Sequence, residues 1–367
     1  MSRAVSWRRR GAGALLAGAL AITGAACESR AVPTVAIVSA GGYLDAARMA
    51  IEDAQRETPS LRVDTMIVES SSNAATDAVG FATDFLARPG LVAVIGHVTS
   101  SASLATSQLY NAGSVVQLSP TATSILYSQA GPFSFRMVPP DDRQATFLCE
   151  VLCAAYPPGS RVALLYVNDD YGRGLRTALR ASLDTSTLDV VLDLPHAEDE
   201  RRPEVITEIV GAVVAARPDV VVFLGSSASL SVYLPALRAA RPTLPIVGSD
   251  AVSSWERTPI APDNWRAVRF ADFVDVTATE SLRTFARRYA ERTGRAATGP
   301  DVLTYDAVRV VLEAVRGGAT RGEDVRAFLA SLGRERPPYA AISGPLQFSE
   351  NGDPERSFVL LGTEPTP

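Results

Sequence analysis

The chain has 367 residues, 47% hydrophobic and 20% charged, which is more than one folded domain usually holds. All 35 basic residues are arginine, set against 40 acids, and a net acidic chain is poorly suited to neutralising the phosphates of a nucleic acid. Only two histidines, far apart in the chain, argue against a histidine metal site.

The amino terminus reads as a processed segment. Arg8, Arg9 and Arg10 form a basic start, and residues 11–22 form an apolar stretch too short to cross a membrane. The stretch Thr23-Gly24-Ala25-Ala26-Cys27 then resembles a lipoprotein cleavage site. The expectation is a signal peptide over 1–26, lipidation at Cys27, and an extracytoplasmic chain held to the membrane by its acyl chains. Cleavage without a lipid is the alternative. Residues 1–26 hold four arginines and no acid, so the remainder has 31 arginines against 40 acids, a formal charge of −9.

From there, short apolar runs alternate with helical patterns. Strand 35–40 leads to helix 44–57, and strand 61–69 to helix 74–87. Strand 91–95 ends at Gly96. A hydroxyl cluster follows (Thr99, Ser100, Ser101, Ser103) and opens a helix to Asn111, and strand 114–118 then breaks into Ser119-Pro120-Thr121-Ala122-Thr123. Two hydroxyl-bearing loops would thus lie side by side at the carboxyl ends of neighbouring parallel strands, where open α/β sheets bind ligands. The first also offers helix N-terminal N–H groups to an anion. Residues 135–142 break the series. A second series follows, with strands 161–167, 189–194 and 219–225 leading to helices 171–183, 203–216 and 228–240. It ends near 267–276, and helices 281–292 and 302–316 and a late strand pair, 346–348 with 358–361, complete the chain. Doubly buried strands alternating with helices predict parallel sheets with covered faces, in two lobes joined by about three crossings. Cys149 and Cys153 fall four apart on one helix, and the expectation is two buried thiols packing as small hydrophobes.

Several segments, IGHVTSS (95–101), SPTAT (119–123), FRMVPPDDRQ (135–144), NDDYGRG (168–174), GSD (248–250), YDAVRV (305–310) and GPLQFSENGDP (344–354), occur in an order and spacing that resemble the periplasmic leucine/isoleucine/valine-binding proteins. These are substrate-binding components of branched-chain amino-acid ABC transporters. The resemblance implies a type I periplasmic-binding-protein fold: α/β, with two Rossmann-like lobes of parallel sheet. One lobe would take 32–140 plus 274–342 and the other 141–273 plus 343–367. It also implies a monomer working with a membrane permease, with no cofactor, no metal and no catalytic residue.

By the same resemblance, Ser100 would bind an α-carboxylate and Thr123 both carboxylate and ammonium. The carbonyl of Thr121 would accept from the ammonium, Asp250 would pair with it from the other lobe, and Tyr171 would close over the ligand. Val98 and Tyr43 would add to the lining, with Trp255 as a further candidate. Neutral dipoles suit the carboxylate while the ammonium needs a counter-charge, so the set is chemically coherent. The side-chain pocket departs from the family: the loop at Ala40-Gly41-Gly42-Tyr43 is short, Ser226-Ser227-Ala228-Ser229 stands where aromatics are common, and Asp250 replaces a Glu.

Plainer roles stand beside these. Ser100 could cap a helix, Asp250 could pair with an arginine, and Tyr305 and Asp306 read as structural. His97 beside the serines suggests a nucleophile pair, but no nucleophile elbow accompanies it. His196, in a Pro- and acid-rich stretch, reads as exposed. No phosphate loop is present. A solute-binding lipoprotein is the first reading, a ligand sensor feeding a signalling partner the second, and a hydrolase the weakest.

Overall fold

The computed structural model describes residues 32–39, 42–70 and 75–362. The expected signal peptide, Cys27 and the Ala40-Gly41 portion of the first loop lie outside the described residues.

The first series of elements is β1 (Thr34–Ser39), α1 (Tyr43–Glu57), β2 (Asp64–Glu69), α2 (Ala75–Leu86), β3 (Leu91–Ile95), α3 (Ser100–Ala112), β4 (Val116–Ser119) and β5 (Ser134–Arg136). Its strands form a parallel sheet in the order β2-β1-β3-β4-β5. Strands β1 and β4 are buried along their whole length, as a sheet covered on both faces requires. The second series is α4 (Asp141–Ala155), β6 (Arg161–Val167), α5 (Asp170–Leu183), β7 (Asp189–His196), α6 (Pro203–Ala216), β8 (Val220–Leu224), α7 (Ser227–Ala240), β9 (Ile246–Gly248) and β10 (Val268–Asp272). Three helices follow, α8 (Glu280–Thr293), α9 (Gly299–Arg316) and α10 (Gly322–Ser331). The last strands are β11 (Tyr339–Ala341), β12 (Gly344–Leu346) and β13 (Val359–Gly362).

The second sheet runs β13-β10-β9-β8-β6-β7. Without β13 its wiring repeats the first: the second strand lies outside the first, and the third lies on the first strand's other side. Each sheet therefore has a switch point where loops diverge and leave a crevice. The late strands correct the expectation. They do not pair with each other: β12 pairs with β11, while β13 adds to β10 as the antiparallel edge of the second sheet. An edge position tolerates either direction, and apolar pattern alone does not specify a partner.

The chain passes between the two sets of elements at 137–140, 273–279 and 347–358. Arg136 ties the first passage to the third. It is fully buried, ion-paired to Asp353 at 2.6 Å, and donates to the carbonyls of Ala122 (3.3 Å) and Ser124 (2.8 Å). It thereby fixes the backbone on both sides of Thr123. After the second passage α9 returns to pack against α1. Tyr305 donates to Asp53 at 2.9 Å, and Arg309 pairs with Glu57. Helix α9 is buried on nearly every face, and its buried acids are paired, Asp301 with Arg257 and Asp306 with the N–H groups of Ile342 and Ser343.

The cysteines also depart from expectation. Both lie on α4, Sγ to Sγ 3.9 Å, but Cys149 is half-buried and Cys153 exposed. The buried stripe of α4 is carried by Asp141, Gln144, Ala145, Leu148 and Leu152; Cys149 packs at its margin against the core, while Cys153 faces outward.

Candidate functional site

One cavity of about 650 Å³ is lined from both series of elements. Tyr43, Val98, Ser100 and Thr121 come from the first, Tyr171 and Asp250 from the second. The seventh candidate, Thr123, is fully buried beneath them and is not part of the lining, and its hydroxyl has no well-formed hydrogen bond. Trp255 does not line the cavity either; its ring packs on Trp265, 5.7 Å between centroids.

Ser100 is the first residue of α3, but the cap is Thr99, whose Oγ1 accepts from the Ala102 N–H at 3.3 Å. Ser100 Oγ instead accepts from the Ser124 N–H at 3.1 Å, which joins the two hydroxyl loops. Thr121 Oγ1 makes a second link, donating to the Val98 carbonyl at 2.6 Å. The first N–H groups of α3 have no helical acceptor, and Ser100 and Ser101 place them at the cavity wall.

Across the cavity, Asp250 is 7% exposed and pairs with no arginine among the described residues. Its Oδ1 accepts from Gln144 Nε2 and from the Tyr171 hydroxyl, each at 2.6 Å. Burial pushes its carboxyl upward, and those two donors oppose the rise. Behind it, Asp141 at the start of α4 is buried without a donor in good geometry on either oxygen. Burial, with the Asp250 charge adding to it, raises Asp141 to about 8, and the Thr123 hydroxyl works the other way. Burial likewise raises Asp272 to about 8, though it accepts from the N–H groups of Phe273 and Val274.

Tyr171 reaches the site because Gly172 lets α5 start tight against β6. A Cβ there would stand 2.0 Å from the Val167 carbonyl oxygen. Asp169 caps the same helix, accepting from the Gly172 N–H at 2.8 Å. On the opposite wall Arg257 pairs with buried Asp301 and lies over the Tyr43 and Tyr289 rings, at 6.0 and 5.8 Å from their centroids.

Other readings are now decided by geometry. His97 Nε2 lies 3.2 Å from the Tyr110 hydroxyl, not on a serine, and burial lowers the imidazole to about 4. Asp306 accepts from the N–H groups of Ile342 and Ser343, both 3.0 Å, a structural role, as is that of Tyr305. His196 is corrected from exposed to buried, 4% exposed and stacked on Phe223 with centroids 4.8 Å apart. Sequence reasoning missed Gln144, Asp141, Arg257, Asp169 and Glu198. The first two sit inside the FRMVPPDDRQ segment, whose polar residues in an otherwise buried stripe were the available signal. Among the described residues no cluster of three or more His, Cys, Asp or Glu is arranged to hold a metal ion, and no helix is long and apolar enough to cross a membrane.

Comparisons with known proteins agree with this architecture. The family model described as periplasmic binding protein matches residues 34–362. The Leu/Ile/Val-binding protein BraC3 of Rhizobium johnstonii is 27% identical over 280 residues, 75% of this chain and 74% of that one. Among solved structures, a leucine-binding protein from Thermotoga maritima superposes with a TM-score of 0.77 at 20% identity, covering 91% of this chain and 96% of that one. A solute-binding protein of an ABC transporter from Rhodopseudomonas palustris, in complex with 3,4-dihydroxybenzoic acid, gives 0.79 at 12% identity, covering 90% and 93%. With a family model spanning nearly all of the described residues and the doubly repeated sheet wiring around one shared cavity, the chain belongs to the periplasmic binding protein family.

Proposed function

We propose that this protein is a non-enzymatic, extracytoplasmic solute-binding lipoprotein, anchored through Cys27, that captures an α-amino acid and delivers it to an ABC-transporter permease. The observation that carries the reading is the opposition across one cavity of Ser100 and the α3 N-terminus to Asp250, a carboxylate already oriented by Tyr171 and Gln144. A zwitterion entering there meets neutral donors at its carboxylate and a counter-charge at its ammonium. In this reading Ser100, Thr121, Tyr171, Asp250, Val98 and Tyr43 contact the ligand, and Thr123 supports them from below. The lobes are 32–140 plus 274–346 and 141–273 plus 347–362, the last boundary placed after β12 because that strand pairs with β11. Because the ligand touches both, binding shifts the population toward a closed form.

The test is a thermal-shift screen of the mature chain, refolded to remove carried-over solute. An α-amino acid at a hundred times its dissociation constant adds about 2.7 kcal/mol, several degrees in Tm. Shifts only with carboxylates lacking an amine would remove Asp250 from the mechanism. No shift with any α-amino acid would overturn the ligand class.

A further inference from the structure

Three carboxylates line the cavity, Asp169, Glu198 and Asp250, against one cation, Arg257, whose charge is committed to Asp301. If Asp250 takes the α-ammonium, Asp169 and Glu198 are left without a partner of opposite charge in a cleft that closes. A neutral side chain would strip water from both and return nothing. The Glu198 Oε1 accepts from Ser226, whose small side chain leaves the carboxylate open to the cavity. Each carboxyl is pushed upward by the protein packed around it, and for Glu198 the Asp169 charge adds to this.

A second observation comes from the hollow beside it. This space, about 420 Å³, shares Val167, Asp169 and Glu198 with the main cavity and is backed by His196. The His196 ring is 4% exposed and its Nδ1 lies 3.0 Å from the Ala197 carbonyl oxygen. A carbonyl only accepts, so Nδ1 carries the proton and Nε2 is left as an acceptor. No donor meets that buried nitrogen. Glu200, in the same hollow, is already paired with Arg202. Glu198, the second oxygen of Asp169 and His196 Nε2 at this end of the cleft therefore all accept. They lack the arrangement that holds a metal ion, and they call for an occupant with several N–H donors and a positive charge.

We propose that the solute is an α-amino acid with a cationic side chain, whose distal ammonium or guanidinium is held by Glu198 and Asp169. This rests on the head-group reading above and names its substrate class. Charge-assisted N–H donors would satisfy both carboxylates at once, and a guanidinium does so in two directions.

Isosteric pairs test it. Calorimetry on the refolded mature chain compares arginine with citrulline, and lysine with 2-aminoheptanoic acid. Each pair matches in shape and differs in charge. The charged member should bind at least tenfold tighter. Glu198→Gln keeps the Ser226 contact, and Asp169→Asn keeps an oxygen for the α5 cap; either should remove most of that preference while leaving citrulline within threefold. Circular dichroism and Tm of both variants confirm that they fold. Equal affinity for arginine and citrulline, or tight leucine binding without lysine or arginine binding, would overturn the inference and leave the head-group reading intact. Binding of no α-amino acid at all would overturn the head-group reading itself.

Discussion

Asp250→Asn separates folding from binding with opposite signs. The substitution keeps the shape and an oxygen that can still accept from Gln144 and Tyr171, both at 2.6 Å in the wild-type site. What disappears is a charge that is 7% exposed and disfavoured by burial, and that helps to push Asp141 and Asp272 upward. The ligand-free protein should therefore keep its stability or gain a little, since removing an uncompensated buried charge removes its desolvation cost. Binding behaves differently. Losing one partner of a buried, hydrogen-bonded charge pair costs about 2–5 kcal/mol. At about 1.4 kcal/mol per decade this weakens an α-amino acid roughly 30-fold to several thousand-fold. A carboxylate of the same shape without the amine should change by less than about threefold. Calorimetry with both ligands, beside a urea melt of the ligand-free variant, reads each quantity. Equal loss for the two ligands would refute the ammonium contact. A large fall in ligand-free stability would show instead that Asp250 holds the fold together.

Further expectations follow from the same geometry. Ser100→Ala should leave α3 capped by Thr99 but strand the buried Ser124 N–H, costing about 1–3 kcal/mol in a denaturant melt and weakening the ligand as well. An unchanged melting curve would place Ser124 N–H on another acceptor. Asp353→Ala leaves Arg136 buried and short of its counter-charge, an expected loss of about 3–5 kcal/mol; below about 1 kcal/mol the tie between the first and third passages is not structural. Asp141 and Asp272 are raised to about 8 in the folded chain from an ordinary value near 4. The folded state then binds more protons than the unfolded one, so their contribution is complete below about pH 4 and is lost as pH climbs through 8. His97, lowered to about 4, works in the opposite sense only up to about pH 6.5. The Tm of the ligand-free protein should therefore fall between about pH 6.5 and 8.5, and Asp141→Asn should flatten that slope. A Tm rising across this window would contradict the burial of these acids.

The alternation of strand and helix was legible in the sequence because each element carries its own period. Buried runs such as 161–167 and 219–225 and amphipathic helices such as α5 announce themselves within a few residues, and capping and proline signals mark their ends. Ser100 and Thr121 were singled out by hydroxyl loops after apolar runs, Tyr171 and Asp250 by ordered segments shared with a family, and all four line one cavity. What tertiary structure alone decided are the relations between distant surfaces. Arg136 meets Asp353 across more than two hundred residues, β13 joins β10 instead of its neighbour in sequence, and α9 returns to cover α1. The same holds for single side chains. His196 looked exposed from its polar neighbours yet is stacked on Phe223, and Cys153 looked buried yet faces outward. Local composition reports which residues tend to be buried. Which face meets which partner depends on how whole elements pack, and that packing brings Glu198 and Asp169 to one cavity, where the charge of one acts on the other.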